Sequence, residues 1–404
     1  MSAGAWAPLQ RPVFRALWIA SIFSNMGTWM QEIGAGWLMV SLAPDPVMVA
    51  LVQAATALPV FLLSIPAGAA ADLIERRRYL VATQAWMASA AVLLGVLAVA
   101  GLVGPWTLLA LTVLLASGSA MMTPAWVATL PDLVPRGELQ SAMTLNSLSL
   151  NVSRTTGPAL AGVIVAVFGS GWTFILNAAT LIVSVAVLLR WKREAPPPDG
   201  PRESLGVAIR AGARYVRTAH GLQATMVRAF AFYVGSMALW ALMPLIARDR
   251  AGGGAMTYGL LHGAIGGGAL VAVLLLPWAR RRWSPDRFVA RCTVVYAAGM
   301  AVPGLVTHPV LIAAGMALCG LAWVSVLASL HVAGQAALPP GVRARATAYY
   351  LMSFAAGSVA GSTLWGAVAA RTSLPFALLA ASVVSLLLIV PLRRFRLDAV
   401  APLS

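Results

Sequence analysis

The sequence predicts an all-α polytopic membrane protein: twelve transmembrane helices in two six-helix pseudo-repeat bundles. Three observations lead there. Hydrophobic residues make up 60% of the chain and charged residues only 10%, where a soluble domain carries about 25% charged residues. The apolar residues gather in twelve runs, each near the roughly 20 residues a bilayer-crossing helix needs. The basic residues fall almost wholly on one side of the resulting topology.

The elements follow in order. Span 1 covers 13–42. It is the first anchor, because no basic region, short apolar core and small-residue cleavage site precede it. Pro44-Asp45-Pro46 breaks the chain before span 2 at 46–71. Arg76, Arg77 and Arg78 lead into span 3 at 78–101, and Gly104-Pro105 opens span 4 at 105–129. Pro135-Arg136-Gly137 precedes span 5 at 140–168, and span 6 follows at 171–191. A polar stretch from Lys192 to Gln223 then interrupts the pattern. It starts Pro-rich. It continues as a basic amphipathic segment, with Val207, Ala211, Tyr215 and Val216 opposite Arg210, Arg214 and Arg217, and this predicts a helix lying on the inner leaflet. Spans 7 to 12 are expected at 222–247, 255–279, 286–306, 308–335, 343–370 and 373–392, with Pro339-Pro340-Gly341 before span 11. The domains are therefore a bundle at 1–191, a linker at 192–221 and a second bundle at 222–404.

With the N-terminus inside, 23 of the 28 Arg and Lys residues lie on the cytoplasmic side. Arg248, Arg250 and Arg371 lie outside, and Arg154 and Arg291 lie within spans. This split predicts a multi-pass protein of the bacterial inner membrane with both termini cytoplasmic. It also accounts for the net charge of +16 through topology and contact with anionic lipid, not nucleic acid. Cys292 and Cys319 both fall in spans, so no disulfide framework is expected. No nucleophile–base pair, phosphate loop or metal cluster is evident, so neither an enzyme nor a cofactor is expected. The halves read as repeats. At an offset of 204 residues, Pro135, Gly137, Gly157 and Gly162 meet Pro339, Gly341, Gly361 and Gly366. Duplicated six-span halves are a transporter architecture.

Glu32 stands out as the only acid inside a span. An ionisable group at that depth marks a functional site by default. Asn25, Thr28, Trp29 and Glu32 share one helix face, as do Ser147, Asn151, Arg154 and Pro158 in span 5. Glu32 and Arg154 lie about 15 and 21 Å from the outer ends of their spans, so a central charge pair is conceivable. Three roles for Glu32 stand open: a proton-coupling carboxylate, a static partner of Arg154, or a contact for a cationic substrate. Arg291, five residues from Asp286, is read as snorkelling to the inner surface.

The loop after span 2 contains Gly68, Asp72, Leu73, Glu75, Arg76, Arg77 and Arg78. It resembles the signature loop of the major facilitator superfamily, with Leu73 and Glu75 departing from its pattern. Gly68 is expected to allow close helix approach, and Asp72 to accept from a helix N-terminus or pair with an Arg. The stretch with Thr123-Pro124-Ala125, Leu130-Pro131-Asp132, Asn146, Asn151, Arg154, Gly157 and Pro158 is similar to the branch holding the enterobactin exporter and macrolide-efflux-like proteins. Gly157-Pro158 with Gly162 resembles the span 5 motif of drug exporters. Span 4 lacks the basic residue usual in proton-coupled drug exporters.

The resemblance implies alternating access, with spans 1, 4, 7 and 10 lining a cavity. Its candidate lining is Asn25, Thr28, Trp29, Met121, Met122, Trp126, Asn151, Tyr233, Met237, Trp240, Trp323, Ser325, Ser329 and His331, while His262 falls close to the outer end of span 8. The implied activity is proton-exchanged export of a small amphipathic molecule (a siderophore, macrolide or lipophilic drug) by a monomer. An importer of the same fold, and a non-transporting membrane sensor or lipid-handling protein, are the alternatives.

Overall fold

The computed structural model describes residues 4–191, 213–336 and 343–397. Among the described residues there are twelve helices of membrane length and no strand. They are α1 (Pro12–Leu42), α2 (Pro46–Leu73), α3 (Arg76–Val99), α4 (Pro105–Leu133), α5 (Leu139–Phe168), α6 (Ser170–Arg190), α7 (His220–Leu245), α8 (Ala255–Arg282), α9 (Pro285–Leu305), α10 (Pro309–Ala336), α11 (Arg343–Arg371) and α12 (Leu374–Leu392). Each matches an expected span to within a few residues. The largest extension is α4, which runs through Pro131 to Leu133. Most of the linker at 192–221, and the Pro339-Pro340-Gly341 turn, lie outside the described residues, leaving a short helical stretch at 213–218.

Local chemistry sets the helix ends. Glu75 caps α3 by accepting from the amides of Arg77 and Arg78, both at 2.9 Å. Proline occupies the first turn of α4, α9 and α12, where its missing N–H costs nothing. Gly169 alone separates α5 from α6 at φ 89°, a conformation that a Cβ would strain. Eleven helices are both long and apolar enough to cross a membrane. The twelfth, α1, has 31 residues, but Ser24, Asn25, Thr28, Gln31 and Glu32 lower its hydropathy.

The chain packs as two units: Met1–Ala35 with Pro66–Leu205, and Gly36–Ile65 with Gly206–Ser404. In the first unit, α1 lies against α5 and α6. Trp18 Nε1 donates to the Leu145 carbonyl at 2.8 Å, and Ser153 Oγ to the Ile22 carbonyl at 3.0 Å. Buried Gln31 accepts from Asn177 of α6. Arg11 grips Glu138 with two hydrogen bonds of 2.9 Å. A core of Phe14, Leu80, Ala125, Ala142, Leu145 and Leu188 joins α1, α3, α4, α5 and α6.

In the second unit, Gly299 lets α9 approach the Gly315 carbonyl of α10, and Gly304 lets it approach Leu379 of α12. Cys292 and Cys319 are free and buried.

The repeat is visible in these seams. A Cβ on Gly157 would meet Trp29 Cβ at 2.8 Å and the Met26 carbonyl at 3.3 Å. One on Gly361 would meet Met237 Cβ at 2.9 Å and the Val234 carbonyl at 2.6 Å. Each glycine of the fifth helix in its half thus presses on a carbonyl and on the residue three positions later, in the first helix of that half. Gly68 differs. A Cβ there would meet nothing within 4 Å, which corrects the expected close approach. Accordingly, Gly157→Ala and Gly361→Ala are each expected to lower stability by about 1–3 kcal/mol through overpacking. Gly68→Ala should hold or raise it, because alanine favours helix. Melting temperatures of the three purified variants check the contrast.

Candidate functional site

The first unit builds a polar site around α1. Gly27 and Gly34 press on Asn177, Thr180 and Thr173 of α6, and Met26 and Trp29 press on α5. Helical rotation then sets Asn25, Thr28 and Glu32 on a third face. Glu32 is half-buried there, with no hydrogen bond or ion pair to any described residue. Thr28 Oγ1 donates to the Ser24 carbonyl at 3.0 Å.

No ion pair joins Glu32 to Arg154 among the described residues, which corrects the expected pairing. Ser153 and Gly157 face α1, and Arg154 lies about 100° further round α5. It joins the face of Ser147 and Asn151, and its Nη2 lies 3.4 Å from Asn151 Oδ1. Pro158 has no amide hydrogen to offer the Arg154 carbonyl, so that backbone oxygen loses its helical partner. Gly162 is buried on the same helix.

A cavity of about 110 Å³ opens beside this face. Its lining includes three sequence candidates, Asn25, Met122 and Trp126, together with Ser21, Gln84 and Asn146. Trp126 Nε1 donates to Asn146 Oδ1 at 2.9 Å. Gln84 Nε2 reaches only the Met122 sulfur at 3.3 Å, and Gln84 Oε1 is buried without a partner. Gln84 was missed in the sequence. Its signal was an amide in the middle of the apolar run of α3. Trp29 packs its Cβ on Gly157.

The second unit carries a string of rings. Trp37 stacks on Tyr258 at 6.2 Å, and Tyr258 meets His262 edge-on at 4.7 Å. The contacts continue through Trp240, Trp323, Tyr233, Phe354 and Tyr350 to His331, with centroid separations of 4.5–6.0 Å. Tyr233, Trp240, Trp323 and His331, four of the residues named from the sequence, thus fall along one run of ring contacts. Met237 and Ser325 do not. Both are buried: Met237 packs against Gly361 and accepts from Ser358 at 3.2 Å, and Ser325 gives its carbonyl to Ser329. Arg291 lies 4.5 Å from the Trp283 ring. Asp286 instead pairs with Arg228 at 2.6 Å.

The loop after α2 works within its own unit. Arg76 Nη1 donates to the Ala128 carbonyl at 2.8 Å and to Asp132 at 3.1 Å, pinning α3 to α4. Arg77 Nε donates to the Leu188 carbonyl at 3.0 Å, at the C-terminal end of α6, where a cation is favoured. Arg78 is largely exposed and lies 4.0 Å from Glu75. The Asp72 side chain lies outside the described residues.

These twelve helices and their duplicated seams are those of the major facilitator fold. The profile of the family described as transmembrane secretion effector matches residues 3–402. The chain belongs to that family. Among curated relatives, the staphyloferrin A transporter of Staphylococcus aureus is 24% identical over 305 residues, covering 72% of this chain and 73% of the relative. The enterobactin exporter EntS of Shigella boydii is 27% identical over 285 residues, covering 67% and 66%. Among solved structures, an auto-inhibited POT family peptide transporter aligns with a TM-score of 0.76 at 15% identity, over 96% of this chain and 97% of that one. The nucleoside transporter NupG gives 0.71 at 14% identity, over 95% and 99%. At these identities the structures are alike in fold alone.

The orphaned oxygen of Gln84 yields a test. Gln84→Leu removes a buried acceptor without a partner, so it is expected to hold or raise stability, by up to about 1–3 kcal/mol. A thermal melt of the purified variant measures this, and a clear fall would mean that the oxygen is satisfied in the folded protein.

Proposed function

We propose that this major facilitator transporter exports a siderophore-like small molecule across the bacterial inner membrane, in exchange for protons taken up at Glu32. The observation that carries the coupling is the setting of Glu32. It is a half-buried acid on the polar face of α1, beside Asn25 and Thr28, and no ion pair holds it. A carboxyl in that setting can be neutral in one conformation and charged in another, as a coupling group requires. The static pairing with Arg154 has lost its support, since Arg154 lies on another face of α5.

The substrate class rests on relatives named for staphyloferrin A and enterobactin. It also suits the chemistry at hand. Siderophores are oxygen-rich and partly apolar. Within the first unit Asn25, Gln84, Trp126 and Asn146 offer hydrogen-bonding groups among the apolar walls of one cavity. Such a mix, apolar walls with few polar groups, is what small-molecule sites use. In this reading the bundles at 1–191 and 222–404 alternate access, both termini lie in the cytoplasm, and the transporter works as a monomer.

Proteoliposomes with an imposed pH gradient test the coupling. Glu32→Gln is expected to lower proton-driven transport by about a hundredfold or more, the scale on which a positioned proton-transfer group contributes. Counterflow exchange, which needs no net proton movement, should survive. Full gradient-driven activity in Glu32→Gln would refute the coupling role.

A further inference from the structure

The second unit holds a larger cavity, of about 650 Å³, which Phe232 separates from the Trp323 ring. It lies among α7, α9 and α12, and the packing explains why it opens there. At one end α9 and α12 are held close, where Gly304 abuts Leu379 and the Pro375 carbonyl. Midway, Gly235 of α7 abuts Ser385 of α12. Beyond that contact the helices part, and the gap is spanned by a strut. Arg228 is only 7% exposed. It pairs with Asp286 of α9 at 2.6 Å and donates to the Phe395 and Leu392 carbonyls at 2.6 and 3.0 Å. Asp286 also accepts from the Leu397 amide at 3.2 Å.

In the strut one guanidinium meets one carboxylate, and its Nε and Nη2 also donate to carbonyls. The other charges of the lining are Arg287, Arg393 and Arg396. All three are exposed, and none has an ion-pair partner among the described residues. The mouth therefore carries three positive charges that no described residue pairs. The wall running inward from it is apolar, formed by Phe232, Val289, Ala290, Leu388 and Ile389. On the far side of α12, Leu387 and Val390 are 65% and 62% exposed, as a lipid-facing surface would be.

We propose that this crevice binds an anionic phospholipid, with its phosphate held by Arg287, Arg393 and Arg396 and an acyl chain lying along the Phe232–Leu388 wall. Arginine suits phosphate because its planar fork donates two parallel hydrogen bonds. The apolar wall selects a lipid over free phosphate, which would leave that wall in contact with water. The site is separate from the polar face of α1 and does not depend on which substrate is carried.

Native mass spectrometry of the detergent-purified full chain tests it, with phosphatidylglycerol and phosphatidylcholine of equal acyl length as probes. The wild type is expected to retain phosphatidylglycerol about a hundredfold more than phosphatidylcholine, the scale set by three basic residues near an anionic headgroup. The triple variant Arg287→Gln, Arg393→Gln, Arg396→Gln should lose that preference while melting at the wild-type temperature, since none of the three belongs to the strut. Ala290→Trp, which fills the wall and keeps every charge, should lower phosphatidylglycerol retention too. Should it fail to fold, Arg396→Gln alone should still give a partial loss. Equal retention of the two lipids by the wild type, or an unchanged preference in the triple variant, would overturn the proposal. Displacement of phosphatidylglycerol by inorganic phosphate at equal concentration would assign the arginines to free phosphate, and overturn it as well.

Discussion

The bilayer core offers no water, and so no substitute partner for a backbone amide or carbonyl. That constraint makes every span of this protein a helix. It also removes the hydrophobic drive that would press helices together in water, because lipid tails are as apolar as leucine. What remains is close contact, and the glycines supply it. Gly157 against Met26 and Trp29, and Gly361 against Val234 and Met237, bring backbone to backbone at the matching place in each half. The ring string, the small polar cavity and the arginine strut all hang from helices held by such seams.

Much of this was legible in the sequence because span length and charge asymmetry follow directly from bilayer thickness and surface charge. Helix limits, the duplicated halves and the odd position of Glu32 could all be read that way. Side-chain partnering could not. Glu32 and Arg154 lie at similar depth, yet depth fixes only one coordinate of a pair, and the rotation of α5 set by Ser153 and Gly157 takes Arg154 off the α1 face. Met237 shares the residue type of a cavity lining, but it lies three residues past the Val234 carbonyl on which Gly361 presses, and so it is core. The Arg228–Asp286 strut joins residues 58 positions apart on two helices, a contact that no local spacing announces.

The basic residues divide into two kinds of work. Arg76, Arg77 and Arg228 are spent on carbonyls and carboxylates inside their own unit, where they pin helix ends. Arg287, Arg393 and Arg396 have no such partners among the described residues and face outward. A count of positive charge treats the two groups alike, although the first holds the fold and the second is available to the surroundings. The departure at Glu75 from the family loop falls under the first kind of work, since its carboxylate closes the N-terminus of α3.

The polar middle of α1 has a consequence for how the chain is made. Gln31 meets its partner Asn177 only across 146 residues of sequence. At about 5–20 residues per second of synthesis, α1 leaves the ribosome roughly 7–30 s before α6 exists to receive it. During that interval Gln31 lacks its α6 partner, in a helix whose polar middle lowers its hydropathy. The final settling of α1 is thus tied to the completion of the half-bundle.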